Sequence, residues 1–319
     1  MENLNLEYTY ILIFIGTKSY FLKNQNLPKL HSGDEIALIS TARKVAPEEI
    51  KSAIEIIEKW GLKVSLGSHL FKEDHQFSGT VKQRTEDLQN ALDHKKVKAI
   101  FFVRGGYGSI QVLDQIQWKG FLEAPKWLIG FSDVTVFHAH VNENFKIPTL
   151  HAAMPITFPN NSSAAINQIR DLLFGHEVAY EIDAHPLNRK GEAEAEVVGG
   201  NLSILYSLLG SESQLNTRGK ILFIEDLDEY LYHIDRMMQA LKRAGMLSEL
   251  SGLIVGGMTD MNDNKISFGK SAEEIIRDVV SEFNYPIAFG FPAGHITNNR
   301  PLLFGQKKTL HVSDKVKLI

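Results

Sequence analysis

A serine stands where an apolar run gives way to a helical pattern. The run WLIGF (127–131) is typical of a buried strand, Ser132 follows it, and helical spacing begins at Val134. A serine on such a turn is held at the end of a sheet, and the N–H of Asp133 can point at an oxyanion. The elbow pattern G-x-S-x-G is not met because residue 134 is valine. A helix N-cap is the competing interpretation of this Ser-Asp pair.

A glycine-rich turn, RGGYG (Arg104–Gly108), directly follows a second apolar run, VKAIFFV. Glycines allow positive φ and close approach of the backbone, so this turn can present amides to an anion or an oxyanion. A dinucleotide loop would need glycine where the chain has Gln111, and no Walker lysine follows Gly108. The pattern therefore disfavours nucleotide binding.

Two further stretches contain groups that could complete a charge relay with the serine. FIEDLDEYLYHIDR places Glu225 and Asp226 at the end of a strand, with Glu229 close by, and FPAGHITNNR holds His295 in a loop. A carboxylate can orient an imidazole, although acidic residues also stabilise helix N-termini. These residues alone leave open which of the three carboxylates would contact the histidine.

Composition excludes several other kinds of chemistry. The chain of 319 residues has no cysteine, which removes disulfides, thiolate metal sites and cysteine nucleophiles. His138, His140 and His151 could suggest a metal site, but residues two apart on the predicted helix point about 200° away from each other. That geometry leads us to expect no metal. The net charge of −4 comes without a basic block, so we also expect no nucleic-acid partner.

Strands and helices alternate through the first half of the chain. This order predicts a parallel sheet covered on both faces, with ligands outside the carboxyl ends of its strands, where both the glycine turn and Ser132 lie. The predicted strands cover 35–40, 63–67, 97–103 and 127–131, and the predicted helices cover 46–60, 80–92, 109–116 and 134–142. In the second half, strands are predicted at 194–198, 221–225, 253–256 and 287–289, and helices at 201–209, 234–244 and 272–283.

The length favours two domains with a site between them. We predict an N-terminal domain over 28–155 with the nucleophile, a linker over 156–190 and a C-terminal domain over 191–319. Residues 1–27 form an extension whose apolar run, Tyr8–Gly16, is too short to span a bilayer as a helix. No Lys or Arg precedes that run and no A-x-A pattern follows it, which disfavours a secretory signal. An added strand, or a poorly placed start upstream of a domain that begins near Leu27, is the favoured interpretation.

Five ordered motifs resemble those of the LD-carboxypeptidase family of serine peptidases, which includes muramoyltetrapeptide carboxypeptidases and microcin C immunity proteins. The motifs are RGGYGS, IGFSDVT, GGNLS, EDLDEYLYHIDR and PAGH, and the resemblance runs from about Gly33 to the C-terminus. It implies that Ser132 is the nucleophile and that Glu225 and His295 are its relay partners. It also implies an oxyanion hole formed by the amides of Gly106 and Asp133.

The resemblance implies a fold and a reaction as well. The fold is α/β, with an N-terminal Rossmann-like parallel-sheet domain and a smaller C-terminal α/β domain with a β-rich core, usually in a homodimer. The reaction is hydrolysis of an L,D-peptide bond that removes the terminal D-alanine from cytoplasmic murein tetrapeptide in peptidoglycan recycling, without a cofactor or a membrane partner.

A carboxypeptidase also needs a cation for the free carboxylate of its substrate, and Arg104 is the candidate, with a structural ion pair as its alternative role. Two other functions stay open at this point. One is a microcin C-type immunity peptidase or amidase that cleaves aminoacyl-nucleotide analogues. The other is a noncatalytic α/β protein that binds an anion at the glycine turn.

Overall fold

The computed structural model describes residues 11–15, 18–22 and 27–319, the first two ranges by their backbone only. These two ranges are the strands β1 (Ile11–Ile15) and β2 (Lys18–Leu22), which pair antiparallel in a sheet of their own. The predicted added strand over Tyr8–Gly16 is therefore present as β1, and the rest of that run lies outside the described residues.

The first main sheet has six strands in the order β13-β7-β6-β5-β3-β4. All neighbours are parallel except β13, which returns from the end of the chain and runs antiparallel to β7. Its strands are β3 (Glu35–Ile39), β4 (Lys63–Leu66), β5 (Val97–Phe102), β6 (Trp127–Gly130), β7 (Thr149–His151) and β13 (Leu302–Phe304). The helices of this half are α1 (Pro47–Lys59), α2 (Val81–Asp93), α3 (Ile110–Leu113), α4 (Lys119–Glu123), α5 (Thr135–Phe145) and α6 (Ser163–Leu173), with 3₁₀ turns at Ser132–Val134 and Pro155–Asn160.

The second main sheet has seven strands in the order β12-β11-β10-β9-β14-β15-β8. Strands β9 to β12 run parallel to one another, whereas β14 is antiparallel to β9, β15 is antiparallel to β14 and β8 is antiparallel to β15. The strands are β8 (Tyr180–Asp183), β9 (Gly191–Asn201), β10 (Ile221–Leu227), β11 (Gly252–Thr259), β12 (Ile287–Ala288), β14 (Gln306–Val312) and β15 (Lys315–Leu318). Its helices are α7 (Leu202–Ser207), α8 (Leu231–Arg243) and α9 (Ala272–Val279).

Apolar patterning explains why these elements form where they do. Strand β5 lies in the middle of its sheet, and its residues from Ala99 to Phe102 are fully buried, as a continuous apolar run predicts. Helix α1 starts with Pro47, whose fixed φ suits a first helical turn, and it buries Ile50, Ala53 and Ile57 at helical spacing. The mixed α/β architecture with a parallel first sheet is thus confirmed.

Several predicted boundaries are wrong, and short elements were missed. The predicted helix over 272–283 ends at Val279, and that over 109–116 covers only Ile110–Leu113. Strands β7, β8, β13, β14 and β15 were not predicted because they are short or alternate with polar residues, so that their pairing partners define them rather than their own sequence. None of the helices in the described ranges is long and apolar enough to cross a bilayer.

Candidate active site

A cleft of about 460 Å³ lies where the carboxyl ends of β5 and β6 face the end of β10. Five of the six sequence-predicted site residues line it: Arg104, Gly106, Ser132, Asp133 and His295. The sixth, Glu225, lies behind His295 with none of its side chain exposed. A larger cleft of about 690 Å³, lined by Trp118 and His140 among others, contains none of these residues. The candidate site is therefore identified by the residues that line it and not by the volume of its cleft.

Ser132 has a backbone conformation that non-glycine residues rarely adopt. Its φ is +61°, in the left-handed region, between the extended Phe131 and the 3₁₀ turn that leads into α5. Strain of this kind costs about 1–3 kcal/mol and is concentrated at functional sites. The sharp turn brings the serine against the neighbouring loop, since a Cβ placed on Gly105 would lie 3.2 Å from Ser132 Oγ.

The valine that breaks the lipase-type elbow pattern packs inside the turn. A Cβ on Gly130 would lie 2.8 Å from Val134 Cγ2, so glycine at position 130 leaves the space that this valine fills. Helix α5 begins directly afterwards, and His138 Nε2 bonds the Gly130 carbonyl oxygen at 2.9 Å. The turn is thus fixed from the sheet side and from the helix side.

A buried arginine and a buried aspartate fix the glycine loop beside Ser132. Arg84 is 1% exposed, and its Nη1 donates to the carbonyl oxygens of Thr41 and Gly108, the latter at 2.9 Å. The Asp133 carboxylate accepts the Ser109 N–H at 2.8 Å, which ties the loop to the serine turn. Burial raises the pKa of Asp133, against the hydrogen bonds from Ser109 and the charge of Arg84.

The two amides expected to form an oxyanion hole both belong to residues of the cleft wall. Gly106 has φ of +106°, which favours glycine. Asp133 is the second residue of its 3₁₀ turn, and the first N–H groups of a helix have no partner within it. The backbone at this edge of the sheet can therefore offer donors to a developing negative charge.

His295 is held by Glu225 through two hydrogen bonds. Glu225 Oε2 lies 2.7 Å from His295 Nδ1 and accepts the His295 backbone N–H at 3.2 Å. Because Nδ1 is engaged, Nε2 is the nitrogen left for proton transfer. Burial opposes the charged imidazole, but the charge and the hydrogen bond of Glu225 outweigh it and raise the pKa of His295 above its ordinary value.

The two other acidic candidates have different partners. Asp226 accepts hydrogen bonds from Asn201 Nδ2 and from the Ser203 N–H, each at 2.9 Å. Glu229 Oε2 lies 2.6 Å from His233 Nδ1. Burial, followed by the charge of Glu225, raises the pKa of Asp226 to about 7. Of the three carboxylates, Glu225 is the one with a hydrogen bond to His295 within the described residues.

The loop that holds His295 depends on one glycine and one asparagine. Gly294 has φ of +107°, and a Cβ there would lie 2.6 Å from Glu225 Oε2. Asn299, which is 2% exposed, accepts the Gly294 N–H at 2.9 Å. No hydrogen bond joins Ser132 to His295 among the described residues, and such contacts commonly tighten only when substrate binds.

The GGN motif (residues 199–201) links the turn that holds Ser132 to β10, the strand that holds Glu225. Asn201 pairs with Glu225 across β9 and β10, and its N–H donates to Thr135 Oγ1 at 3.0 Å. A Cβ on Gly200 would lie 2.5 Å from Thr135 Cγ2, so only glycine permits this approach. Our sequence reasoning did not assign a role to Asn201 or Thr135, although both lie within motifs that carried the family resemblance.

Arg104 lines the cleft, but its guanidinium is already engaged. Nη1 donates to the Lys44 carbonyl oxygen at 2.9 Å and lies 3.7 Å from Glu49 Oε1. Of the histidines considered as a metal cluster, His151 lies beside His138, with 6.2 Å between the ring centroids, but His138 bonds the Gly130 carbonyl oxygen and His140 stacks on a tryptophan. Burial lowers the pKa of His138 and His140 to about 4.

Both halves of the chain match domains of one known family. The LD-carboxypeptidase N-terminal domain matches residues 36–152, and the LD-carboxypeptidase C-terminal domain matches residues 194–310. The chain belongs to the LD-carboxypeptidase family. It is therefore a hydrolase of the carboxypeptidase class, and the predicted family is confirmed.

Individual relatives agree over nearly the whole chain. The probable murein peptide carboxypeptidase of Bacillus subtilis is 31% identical over 95% of this chain and 96% of its own. The murein tetrapeptide carboxypeptidase of Pseudomonas aeruginosa is 30% identical over 86% and 92%. In fold, the chain is similar to the muramoyltetrapeptide carboxypeptidase of Oxalobacter formigenes, with a TM-score of 0.81, 23% identity and coverage of 89% and 97%. It is also similar to the microcin C7 self immunity protein MccF, with a TM-score of 0.82, 21% identity and coverage of 91% and 97%.

Proposed function

We propose that this protein is a serine-type carboxypeptidase that cleaves an L,D-peptide bond and removes the terminal D-alanine from murein tetrapeptide. Ser132 is the nucleophile, His295 its general base and Glu225 the carboxylate that orients the histidine. The amides of Gly106 and Asp133 form the oxyanion hole. The names of the relatives from B. subtilis and P. aeruginosa support the murein substrate.

One observation carries this proposal. A serine in a strained conformation shares a cleft with a histidine whose Nδ1 lies 2.7 Å from a fully buried carboxylate. A structural N-cap serine needs neither the positive φ nor such a histidine. A nucleophile, a base and an orienting group in this relation are the parts that acyl transfer requires.

The reaction follows from these positions. Ser132 Oγ attacks the peptide carbonyl carbon while His295 Nε2 takes its proton, and the two amides bind the resulting oxyanion. The C–N bond then breaks, and the imidazolium gives its proton to the amine of the departing D-alanine. Water, deprotonated by His295, attacks the acyl-enzyme and releases the shortened peptide. Glu225 fixes the imidazole tautomer and stabilises the imidazolium throughout.

We place this activity in the cytoplasm, in peptidoglycan recycling, and in a homodimer. The domain division proposed with it is 28–155, 156–190 and 191–319, so that the nucleophile and its relay partners come from different domains. The two family domains, matched over 36–152 and 194–310, support this division. The hydrogen bond from the Asn201 N–H to Thr135 then links them, because Asn201 pairs with Glu225 and Thr135 follows the turn that holds Ser132.

Release of D-alanine from purified murein tetrapeptide tests the proposal. We expect the wild-type protein to release it with multiple turnovers and to leave a tetrapeptide with C-terminal L-alanine intact. Equal cleavage of both peptides would contradict the L,D preference. If neither peptide is cleaved but an aminoacyl-nucleotide amide is cleaved, the murein assignment is wrong. The function is then that of a microcin C-type immunity peptidase or amidase.

A further inference from the structure

The cleft has two walls of opposite charge. Two arginines, Arg43 and Arg104, lie on the side of the first sheet. Three carboxylates, those of Asp226, Asp228 and Glu229, lie on the side of the second sheet. A substrate carboxylate is repelled by the acidic wall and attracted by the basic one. A free C-terminus must therefore be recognised on the side of the arginines.

Arg43 differs from Arg104 in what its guanidinium contacts. Arg104 donates to the Lys44 carbonyl oxygen and pairs with Glu49. Within residues 27–319, the Arg43 side chain makes neither a hydrogen bond nor a salt bridge, and it is exposed to the cleft. It is the cation of this wall that can bind a carboxylate without giving up a protein partner.

The position of Arg43 is fixed next to the reacting atoms. Its backbone N–H donates to the Gly105 carbonyl oxygen at 3.4 Å, and its own carbonyl oxygen accepts from Ser40 Oγ at 3.0 Å. Its side chain lies along Gly106, since a Cβ on that glycine would be 2.6 Å from Arg43 Cδ and 2.8 Å from Nε. The guanidinium is therefore held beside the proposed oxyanion donor, one residue from the glycine that contacts Ser132.

We infer that Arg43, and not Arg104, binds the C-terminal carboxylate of the substrate and makes the enzyme a carboxypeptidase. The inference rests on the proposed function. The carboxylate of a leaving amino acid is only two bonds from the scissile nitrogen, so its cation must lie close to the oxyanion site. An arginine fork can bind both carboxylate oxygens, a geometry that lysine cannot reproduce.

The test compares two substrates that differ only at the C-terminus, murein tetrapeptide and the same peptide ending in D-alaninamide. For the wild type, kcat/KM should be higher for the acid. Arg43→Ala should reduce kcat/KM for the acid about 10- to 100-fold and for the amide less than about threefold, which abolishes the preference. Arg43→Lys should recover part of it.

Arg104→Ala is the matched control, because it removes an arginine of the same wall. It should change kcat/KM for both substrates by the same factor and keep the preference for the acid. A preference that survives Arg43→Ala, or that disappears in Arg104→Ala, would overturn the inference while the proposed function stands. A wild type that cleaves neither peptide refutes the proposed function, and this role of Arg43 with it.

Discussion

In the proposed mechanism, the two walls of the cleft act by different physical means. The nucleophile wall, formed by Gly106, Ser132 and Asp133, relies on backbone conformation: two of its residues have positive φ, and its proposed donors are main-chain amides. The relay wall, formed by Glu225, Asp226 and His295, relies on side-chain charge removed from water. On the nucleophile wall, backbone conformation positions the serine and the amides. On the relay wall, burial and charge set the pKa of the titratable side chains.

This difference sets what each wall tolerates. A strained turn accepts side-chain changes that keep its φ, since the amides remain in place. Substitution of the buried Glu225 should be tolerated poorly, because loss of its charge changes both the pKa and the orientation of His295, which it contacts. Substitutions on the relay wall should therefore act through protonation, and those on the nucleophile wall through geometry.

Neutralising Glu225 is expected to have the largest effect on the relay wall. Glu225→Gln keeps the size of the side chain but loses the charge that stabilises the imidazolium, so kcat should fall about 10³- to 10⁴-fold. Asp226→Asn is the matched control, and it should cost about tenfold or less because Asp226 bonds Asn201 and Ser203 instead. Steady-state kinetics on the tetrapeptide measures both. Near-normal turnover in Glu225→Gln with loss in Asp226→Asn would reverse our assignment.

A single methyl group at Gly294 should show how little space the relay wall has. Its Cβ would lie 2.6 Å from Glu225 Oε2 at a φ of +107°. Gly294→Ala should lower kcat/KM about 10- to 100-fold through displacement of Glu225, and stability by about 1–3 kcal/mol.

Gly33→Ala separates strain from contact in this experiment. Gly33 has φ of +92°, and no atom lies within 4 Å of its Cβ position. We expect it to lose about 1 kcal/mol of stability and no activity. Thermal unfolding together with kinetics distinguishes the two variants. Equal activity in both would show that Glu225 does not depend on this close packing.

The pH profile gives the smallest and most specific effect. His295 must be neutral to accept the serine proton, and its pKa is raised, so the acid limb of kcat/KM should have its midpoint above pH 6.5. Asp226→Asn removes a negative charge that helps to raise this pKa, so the midpoint should move to lower pH. A wild-type midpoint below pH 6, or a shift to higher pH in the variant, would contradict this account.

The sequence predicted the central strands and the residues of the cleft because local signals mark both. Buried apolar runs define β5 and β6, and the glycine turn and Ser132, whose residue types suit catalysis, follow these strands directly. The return of β13 to pair with β7, far away in sequence, could not be predicted because that contact is tertiary. The partners of the two arginines could not be predicted either, because the engagement of Arg104 depends on its tertiary contacts with Lys44 and Glu49.

The central claim is that Ser132 acts as a nucleophile on the strained wall. The most direct measurement is kcat/KM on murein tetrapeptide for Ser132→Ala beside Ser203→Ala, since both serines line the cleft. We expect Ser132→Ala to lose a factor of about 10³ to 10⁶, and Ser203→Ala, which loses one hydrogen bond to Asn201, to stay within about tenfold of the wild type. Comparable activity in the two variants would contradict the account.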